Sequence, residues 1–154
     1  MDSKFKFLPI VLISYLTVLP VLVIYLSYTS PKAGMVLPIL FLLFVISFWL
    51  TAIRTRAYKV KIDNEGIIVN RYFGFGKSKM YDFKEIDNFV NLFESGKLGV
   101  SESIFIIKNE RRIASISSFY HSNFELLKKI LETKLVYGGE IKNNFKEEIS
   151  EIIK

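Results

Sequence analysis

Two long apolar runs near the N-terminus dominate the hydrophobic pattern of this chain. Phe7–Tyr28 and Gly34–Ile53 contain 22 and 20 residues, and neither contains Asp, Glu, Lys, Arg or His. About 20 apolar residues of helix cross the hydrocarbon core of a bilayer, and a helix satisfies its own backbone hydrogen bonds there. The short connection at 29–33 favours an antiparallel pair. The pattern therefore predicts a two-helix transmembrane hairpin within residues 1–53.

Basic residues flank this hairpin asymmetrically. The loop between the two runs holds only Lys32. The opposite end holds six basic residues: Lys4, Lys6, Arg54, Arg56, Lys59 and Lys61. Since Lys and Arg accumulate on the cytoplasmic side of membrane helices, we expect a protein of the cell membrane (inner or plasma membrane) with both termini in the cytoplasm. This topology alone explains the juxtamembrane Arg54 and Arg56. A cleaved signal peptide is the alternative, but its apolar region is normally about 7–15 residues long, shorter than the first run.

Beyond residue 53 the pattern changes from helical to strand-like. Ala57–Ile62 alternates apolar and charged residues, as a half-buried strand does. Similar short segments follow, separated by turn residues, and predict six or seven antiparallel strands at spacings of about ten residues, typical of a small barrel or sandwich. Strands are expected at 57–62, 67–73, 77–83, 86–93, 103–108 and 112–117, with a further short one at 97–100 inside a polar loop at 94–99. In the strand at 103–108, Ile104 and Ile106 are expected to face one side and Phe105 the other.

Two amphipathic helices are predicted after the strands. Ser122 and Glu125 have the spacing of a capping box, which marks a helix N-terminus. An apolar stripe at three- and four-residue spacing continues the helix through Phe124, Leu127, Leu131 and Leu135. Gly138-Gly139 is expected to end it. The tail at 140–154 places apolar residues on one side and charges elsewhere, so it is interpreted as a second amphipathic helix.

Composition narrows the chemistry. The chain has no Cys, which excludes disulfides and thiolate metal sites. It has 21 Lys and Arg against 15 Asp and Glu, a net charge of +6. This excess suits a surface that faces anionic lipid, but it is too dispersed to indicate a nucleic-acid partner. His121 is the only histidine and lacks nearby ligands or base partners, and Gly74–Lys77 does not have the spacing of a phosphate-binding loop. We expect no enzymatic activity, no metal and no cofactor.

The part after the hairpin resembles a pleckstrin-homology (PH) fold, in which antiparallel strands are closed by one C-terminal helix. The resemblance is carried by Tyr58–Ile86, Ser103–Ser117 and Ser122–Leu135. It is similar to the bacterial PH-like domains that follow two membrane helices, where a D-x-x-G turn joins two strands and an aromatic residue precedes an acidic residue and Ile at a corner. The matching residues are Asp63–Gly66 and Phe83–Ile86. The resemblance implies a mainly-β (α+β) PH-like barrel at 54–139, followed by the tail at 140–154.

This resemblance implies an interaction module. The phosphoinositide signature of eukaryotic PH domains is incomplete, because Phe73 takes the place of its second Arg. Lys59, Lys61 and Arg71 remain as candidates for contact with anionic lipid head groups. Besides the lipid bilayer, the expected partner is a protein or a second copy of the chain, bound across a strand edge or beside the helix at 122–137. The alternatives are an anionic-lipid-binding or membrane-sensing module, or an accessory or immunity protein of a membrane complex. Since the hairpin already localises the domain, the protein partner is preferred.

Overall fold

The computed structural model describes residues 1–30, 34–96 and 99–141. It begins with two long antiparallel helices, α1 at Phe7–Thr29 and α2 at Val36–Arg56. Trp49–Ile53 forms a π-helical turn within α2. Both helices are long and apolar enough to cross a membrane, and most of their side chains are exposed. The two predicted apolar helices are therefore present, and α2 continues to Arg56, beyond the predicted end at Ile53.

A hydrogen bond joins the two helices inside their apolar length. The indole Nε1 of Trp49 donates to the hydroxyl of Thr17 at 2.9 Å. That hydroxyl in turn donates to the carbonyl of Ile13, one helical turn earlier, at 2.7 Å. Both polar groups are thereby satisfied in surroundings where an unpaired group is costly. The bond also fixes which levels of α1 and α2 face each other.

Seven strands follow in the described part of the chain, arranged in two sheets. The first sheet is antiparallel, has the order β1-β2-β3, and consists of β1 Lys59–Ile62, β2 Gly66–Asn70 and β3 Lys79–Asp82. The second has the order β6-β5-β4-β7 and consists of β4 Asn88–Gly96, β5 Gly99–Lys108, β6 Arg111–Ser117 and β7 Tyr137–Ile141. In it β7 runs parallel to β4, and the other neighbours are antiparallel. Helix α3, Phe124–Lys134, lies between β6 and β7 in the chain.

The main core lies between the two sheets and α3. Ile104 and Ile106 of β5 are fully buried in it, whereas Phe105 belongs to a separate cluster on the opposite face of the same sheet. This is the alternation predicted for this strand. The apolar stripe of α3 contributes Leu127 and Leu131, both fully buried. The strand and helix patterns in the sequence therefore identify the core-facing residues correctly.

An extended segment before α1, residues 1–6, closes one side of the β-domain; we term it the N-terminal segment. The amide of Ser3 donates to the carbonyl of Val60 at 2.8 Å, and the hydroxyl of Ser3 accepts the amide of Val60 at 2.9 Å. Farther along, the amide of Ser122 donates to the carbonyl of Lys4 at 2.8 Å. The segment thus contacts both β1 and the connection between β6 and α3. It lies at the same end of the helix pair as the β-domain.

The predicted closed barrel is not found among the described residues. On one side, the 3-10 turn Phe83–Glu85 separates β3 from β4. On the other side, the N-terminal segment lies between β1 and the turn after β6, with isolated bridges that pair Asp2 with Lys61 and Phe5 with His121. The main chain of β1 that would close a barrel is therefore partly bonded to residues 1–6. The architecture is a helix pair followed by two sheets and one C-terminal helix.

The polar loop predicted at 94–99 is mostly strand. β4 continues to Gly96 and β5 begins at Gly99, so the two strands form one long hairpin in which Ser95 is opposite Val100. Of the short strand predicted at 97–100, residues 99 and 100 belong to β5, and residues 97 and 98 lie outside the described part of the chain. Cross-strand pairing extends the regular structure through polar residues that carry no alternating pattern of their own.

Helix α3 begins later than predicted and without the capping box. Its N-cap is Asn123, whose side chain does not cap the helix. The hydroxyl of Ser122 donates instead to the carbonyl of Lys4 at 3.2 Å. A Ser or Thr hydroxyl bonds whichever main-chain group is in reach, and here the N-terminal segment supplies that group.

The end of α3 also differs from the prediction. The helix ends at Lys134, and the two glycines expected to stop it lie in β7. Gly138 is required there by close packing, because a Cβ atom would lie 2.9 Å from the side chain of Asn88. Glu140 and Ile141, the predicted start of the tail helix, form the end of β7. The rest of that predicted helix, 142–154, lies outside the described residues.

Candidate functional site

The helix pair meets the β-domain in an apolar cluster, which we term the junction cluster. Its buried members are Ile13 of α1, Ile53 of α2 and Ala57, the residue after α2. Aromatic side chains from the helices and the domain surround them: Phe48, Trp49, Tyr72, Phe73 and Tyr120. Large aromatic side chains contribute strongly to packing energy. The junction is therefore a packed interface, and α2 leads into β1 without a linker.

An ion pair reinforces this junction. Both guanidinium nitrogens of Arg56 donate to the carboxylate of Glu94 in β4, each at 3.0 Å. Such two-pronged pairs fix geometry as well as charge. Tyr120 lies nearby: burial raises the pKa of its phenol, Arg56 lowers it and Glu94 raises it. Arg56, assigned from the sequence to topology, thus also attaches β4 to the end of α2, whereas Arg54 is exposed.

Residues 71–76 form a tight turn after β2, which we term the aromatic turn. All three residues of Tyr72–Gly74 have positive φ, at 53°, 58° and 106°. This conformation costs about 1–2 kcal/mol for each residue other than glycine. The amide of Phe73 donates to the carbonyl of Ala57 at 2.8 Å, so contact with the end of α2 helps to hold the strained turn. Phe75, by contrast, is 91% exposed.

Two of the three predicted lipid contacts lie at this turn. Arg71 begins it and is exposed. Lys59 is also exposed, and its stem lies over Gly74, where an added Cβ would approach the Lys59 Cδ to 2.9 Å. Lys61 lies two residues farther along β1, with its Nζ 3.4 Å from a carboxylate oxygen of Asp63. The structure therefore brings Lys59 and Arg71 to one turn and gives Lys61 a local ion pair.

His121 joins three segments of the β-domain. Its ring is fully buried, and Nε2 lies 2.9 Å from the carbonyl of Tyr58. Nδ1 lies 3.1 Å from the carbonyl and 3.2 Å from the amide of Ser117. In the neutral ring Nε2 donates to the carbonyl of Tyr58, and Nδ1 accepts from the amide of Ser117. The ring also packs against Phe5 of the N-terminal segment, with centroids 4.9 Å apart. Burial lowers the pKa of His121 and outweighs the opposing effect of the main-chain carbonyls of Tyr58 and Ser117, which accept from the protonated ring and raise the pKa. The neutral imidazole holds these segments together, and both of its nitrogens are engaged in main-chain hydrogen bonds. This arrangement does not suit a catalytic base.

A cluster of hydrogen-bonded polar side chains attaches α3 to the second sheet. The carboxylate of Glu102 accepts from Asn91 Nδ2 at 2.9 Å and from Lys128 Nζ at 2.6 Å. The hydrogen bond to Glu102 raises the pKa of Lys128. The lysine therefore stays protonated, and its positive charge neutralises the carboxylate. Within residues 1–30, 34–96 and 99–141, no three His, Asp or Glu side chains are placed to hold a metal ion. The polar groups described here are engaged in holding the fold together.

The exposed aromatic turn was not recognised in the sequence as a surface. Gly74–Lys77 lacks the spacing of a phosphate-binding loop, Phe73 takes the place of an arginine in the PH signature, and neither pattern predicts an exposed surface. The available signal was an aromatic residue, Phe75, between two glycines and flanked by Arg71 and Lys77. Its position beside α2 depends on tertiary packing, which no local pattern reports.

Comparison of the chain with protein-family models, with curated proteins and with solved structures found no match. The class of protein is therefore defined by architecture. Two long apolar helices precede a β-rich domain with a C-terminal helix.

Proposed function

We propose that this chain is a membrane-anchored interaction module of the PH-like type. It presents its β-domain at the cytoplasmic face and binds an extended segment of a partner protein or of a second copy, without catalysis. The observation that carries this proposal is the firm attachment of the domain to the helix pair through the N-terminal segment, the junction cluster and the Arg56–Glu94 pair. A domain fixed on its anchor offers its surfaces in one orientation, which favours recognition in the plane of a membrane.

The proposed topology has both termini in the cytoplasm and two membrane-spanning helices. The bonds between residues 1–6 and the β-domain support it, because both parts must then lie on one side of the bilayer. The basic residues at that end support the cytoplasmic side.

Strand β3 offers an accessible edge for an extended partner. Within the described residues it pairs only with β2, whereas the other edge of this sheet, β1, is partly covered by the N-terminal segment. Met80 in β3 is 60% exposed. An added strand would gain main-chain hydrogen bonds along this edge and side-chain contacts at alternate positions. Lys79 is the kind of charged residue that keeps free edges from pairing indiscriminately.

The test uses the full chain in its membrane with a photo-cross-linking amino acid at Met80. A matched control carries the same group at Glu132, an exposed position on α3. We expect a discrete adduct from position 80, either with a differently tagged second copy or with one protein identified by mass spectrometry. Absence of an adduct at 80, or equal yields at both positions, would contradict binding at the β3 edge.

A second candidate function is contact with anionic head groups, which the exposure of Lys59 and Arg71 at one turn favours. Each basic residue near an anionic surface contributes about 1 kcal/mol. Native mass spectrometry of the full chain released from mixed lipid nanodiscs would measure retained phosphatidylglycerol. We expect less retention in a Lys59→Ala/Arg71→Ala variant and little change in Lys61→Ala, whose ammonium is paired with Asp63. Equal retention in all variants would contradict this candidate.

A further inference from the structure

The side chain of Phe75 is exposed to an unusual degree. At 91% it is the most exposed large apolar side chain in the described part of the chain, including those of the two helices. A single exposed apolar residue is ordinary on a protein surface that faces water. Whether the exposure of Phe75 indicates a binding surface therefore depends on where the aromatic turn lies relative to the membrane.

The Tyr72 ring of the aromatic turn lies beside α2, on the bilayer side of its charged end, while the turn's main chain bonds Ala57 just after that end. The ring of Tyr72 stacks on that of Trp49 with centroids 6.4 Å apart. Trp49 precedes Arg56 by seven residues, about 10 Å along the helix axis. It also bonds to Thr17, ten residues into α1 and about 15 Å from the first residue of that helix. The ring of Tyr72 thus reaches a level at which both helices expose apolar side chains.

The construction of the turn directs Phe75 away from the protein. Tyr72 and Phe73 pack inward against the junction cluster, and the positive φ angles of Tyr72–Gly74 reverse the chain directly after them. Basic residues occur at the same turn, since Arg71 opens it and the Lys59 stem lies over Gly74. Long basic side chains place their stems along apolar surface and their charges in the polar layer. The apolar side chain of Phe75 and the basic side chains of Lys59 and Arg71 together match an anionic membrane surface, in which a charged layer covers an apolar one.

Resting on the membrane assignment proposed above, we propose that the aromatic turn inserts into the cytoplasmic leaflet. Phe75 contacts acyl chains beside α2, and Lys59 and Arg71 lie at the phosphate level. The partner of this surface is the lipid bilayer that surrounds the helix pair. The contact differs from head-group binding by Lys59, Lys61 and Arg71, because insertion of an apolar ring is its main component. It gives the β-domain a third point of membrane attachment besides the two helices.

Site-directed spin labelling tests this insertion in the full chain. Because the chain has no Cys, each variant needs only one substitution. Phe75→Cys carries the label at the turn, and Met80→Cys carries it on the exposed face of β3. Leu22→Cys, at an exposed position of α1, is the reference within the membrane span. The labelled proteins are reconstituted into vesicles of phosphatidylcholine and phosphatidylglycerol, and collisions with oxygen and with a water-soluble nickel chelate are measured.

Insertion predicts an oxygen-to-nickel accessibility ratio several-fold higher at 75 than at 80, in the direction of position 22. A ratio at 75 equal to that at 80 would overturn the proposal. If position 22 also behaved as water-exposed, the membrane assignment and the insertion would fall together, so the two failures are distinguishable.

A second measurement needs no substitution. Hydroxyl-radical labelling of the wild-type chain in the same vesicles compares Phe75 with Phe93 of β4, which is 46% exposed. Insertion predicts slower modification of Phe75 although it has the greater exposed fraction in the protein alone. Faster modification of Phe75 would overturn the proposal.

Discussion

Acidification is expected to destabilise the β-domain through a single side chain, His121. The folded ring is buried and neutral, and its pKa is lowered by burial. In the unfolded chain the imidazole takes up a proton near pH 6.5. Above that pH both states are neutral, and the domain has its full stability. As the pH falls from 6.5 toward the lower folded pKa, the unfolded state binds more protons and the free energy of unfolding decreases. One site gives a slope of at most about 1.4 kcal/mol per pH unit.

The assay is urea unfolding of the full chain in detergent micelles, followed by pulse proteolysis at several pH values between 7.5 and 5.5. The matched control is His121→Gln. It should start with a lower midpoint, because the carbonyl of Tyr58 or the amide of Ser117 loses its partner, at about 1–3 kcal/mol per buried unpaired group. Its midpoint should then change less than that of the wild type as the pH falls. Equal slopes in the two proteins would refute His121 as the source, and a wild-type midpoint that rose on acidification would refute the buried neutral ring.

Three further changes and one control, Leu126→Ala, test the packing and the Arg56–Glu94 ion pair with the same assay. Ile106→Ala empties a fully buried core position and should cost about 2–5 kcal/mol, while Leu126→Ala on the exposed side of α3 should change stability by less than about 0.5 kcal/mol; similar losses would contradict the assigned core. Gly66→Ala places a Cβ atom 2.2 Å from the carbonyl oxygen of Tyr81, so the midpoint should fall, and an unchanged midpoint would contradict the close approach of β2 and β3. Glu94→Gln weakens a partly exposed ion pair and should cost about 1 kcal/mol or less, with a smaller loss in high salt; a loss that does not depend on salt would argue against a charge effect.

Local periodicity predicted most of the elements because their burial follows their own sequence. The alternation of β1 buries Val60 and exposes Lys59, and the three- and four-residue spacing of α3 buries Leu127 and Leu131. Helices α1 and α2 could be predicted from the length and composition of their apolar runs alone. In each case, the face that is buried can be read without knowing the partner.

Long-range contacts decided the features that the sequence did not predict. Ser122 has the spacing of a helix cap, but its hydroxyl bonds the carbonyl of Lys4, 118 residues earlier in the chain. Residues 1–6 contain no pattern that predicts pairing with β1. The glycines at 138 and 139 are typical of a helix end, yet they lie in a strand beside β4 because of close packing there.

The candidate site was predicted less well for the same reason. The sequence identified the basic residues near the membrane but could not show that Arg56 is bonded to Glu94. Nor could it place Tyr72 beside the apolar part of α2, since that depends on the stacking of Tyr72 on Trp49.

The most direct test of the proposed topology is the sidedness of single cysteines in the full chain. Spheroplasts expressing Asp2→Cys, Ser30→Cys or Met80→Cys are treated with a membrane-impermeant maleimide before and after permeabilisation; all three positions are exposed in the protein. A cytoplasmic β-domain with both termini inside predicts labelling of position 30 in intact spheroplasts, and labelling of positions 2 and 80 only after permeabilisation. Labelling of position 80 in intact spheroplasts, or protection of position 30, would contradict a cytoplasmic domain held on a membrane-spanning helix pair.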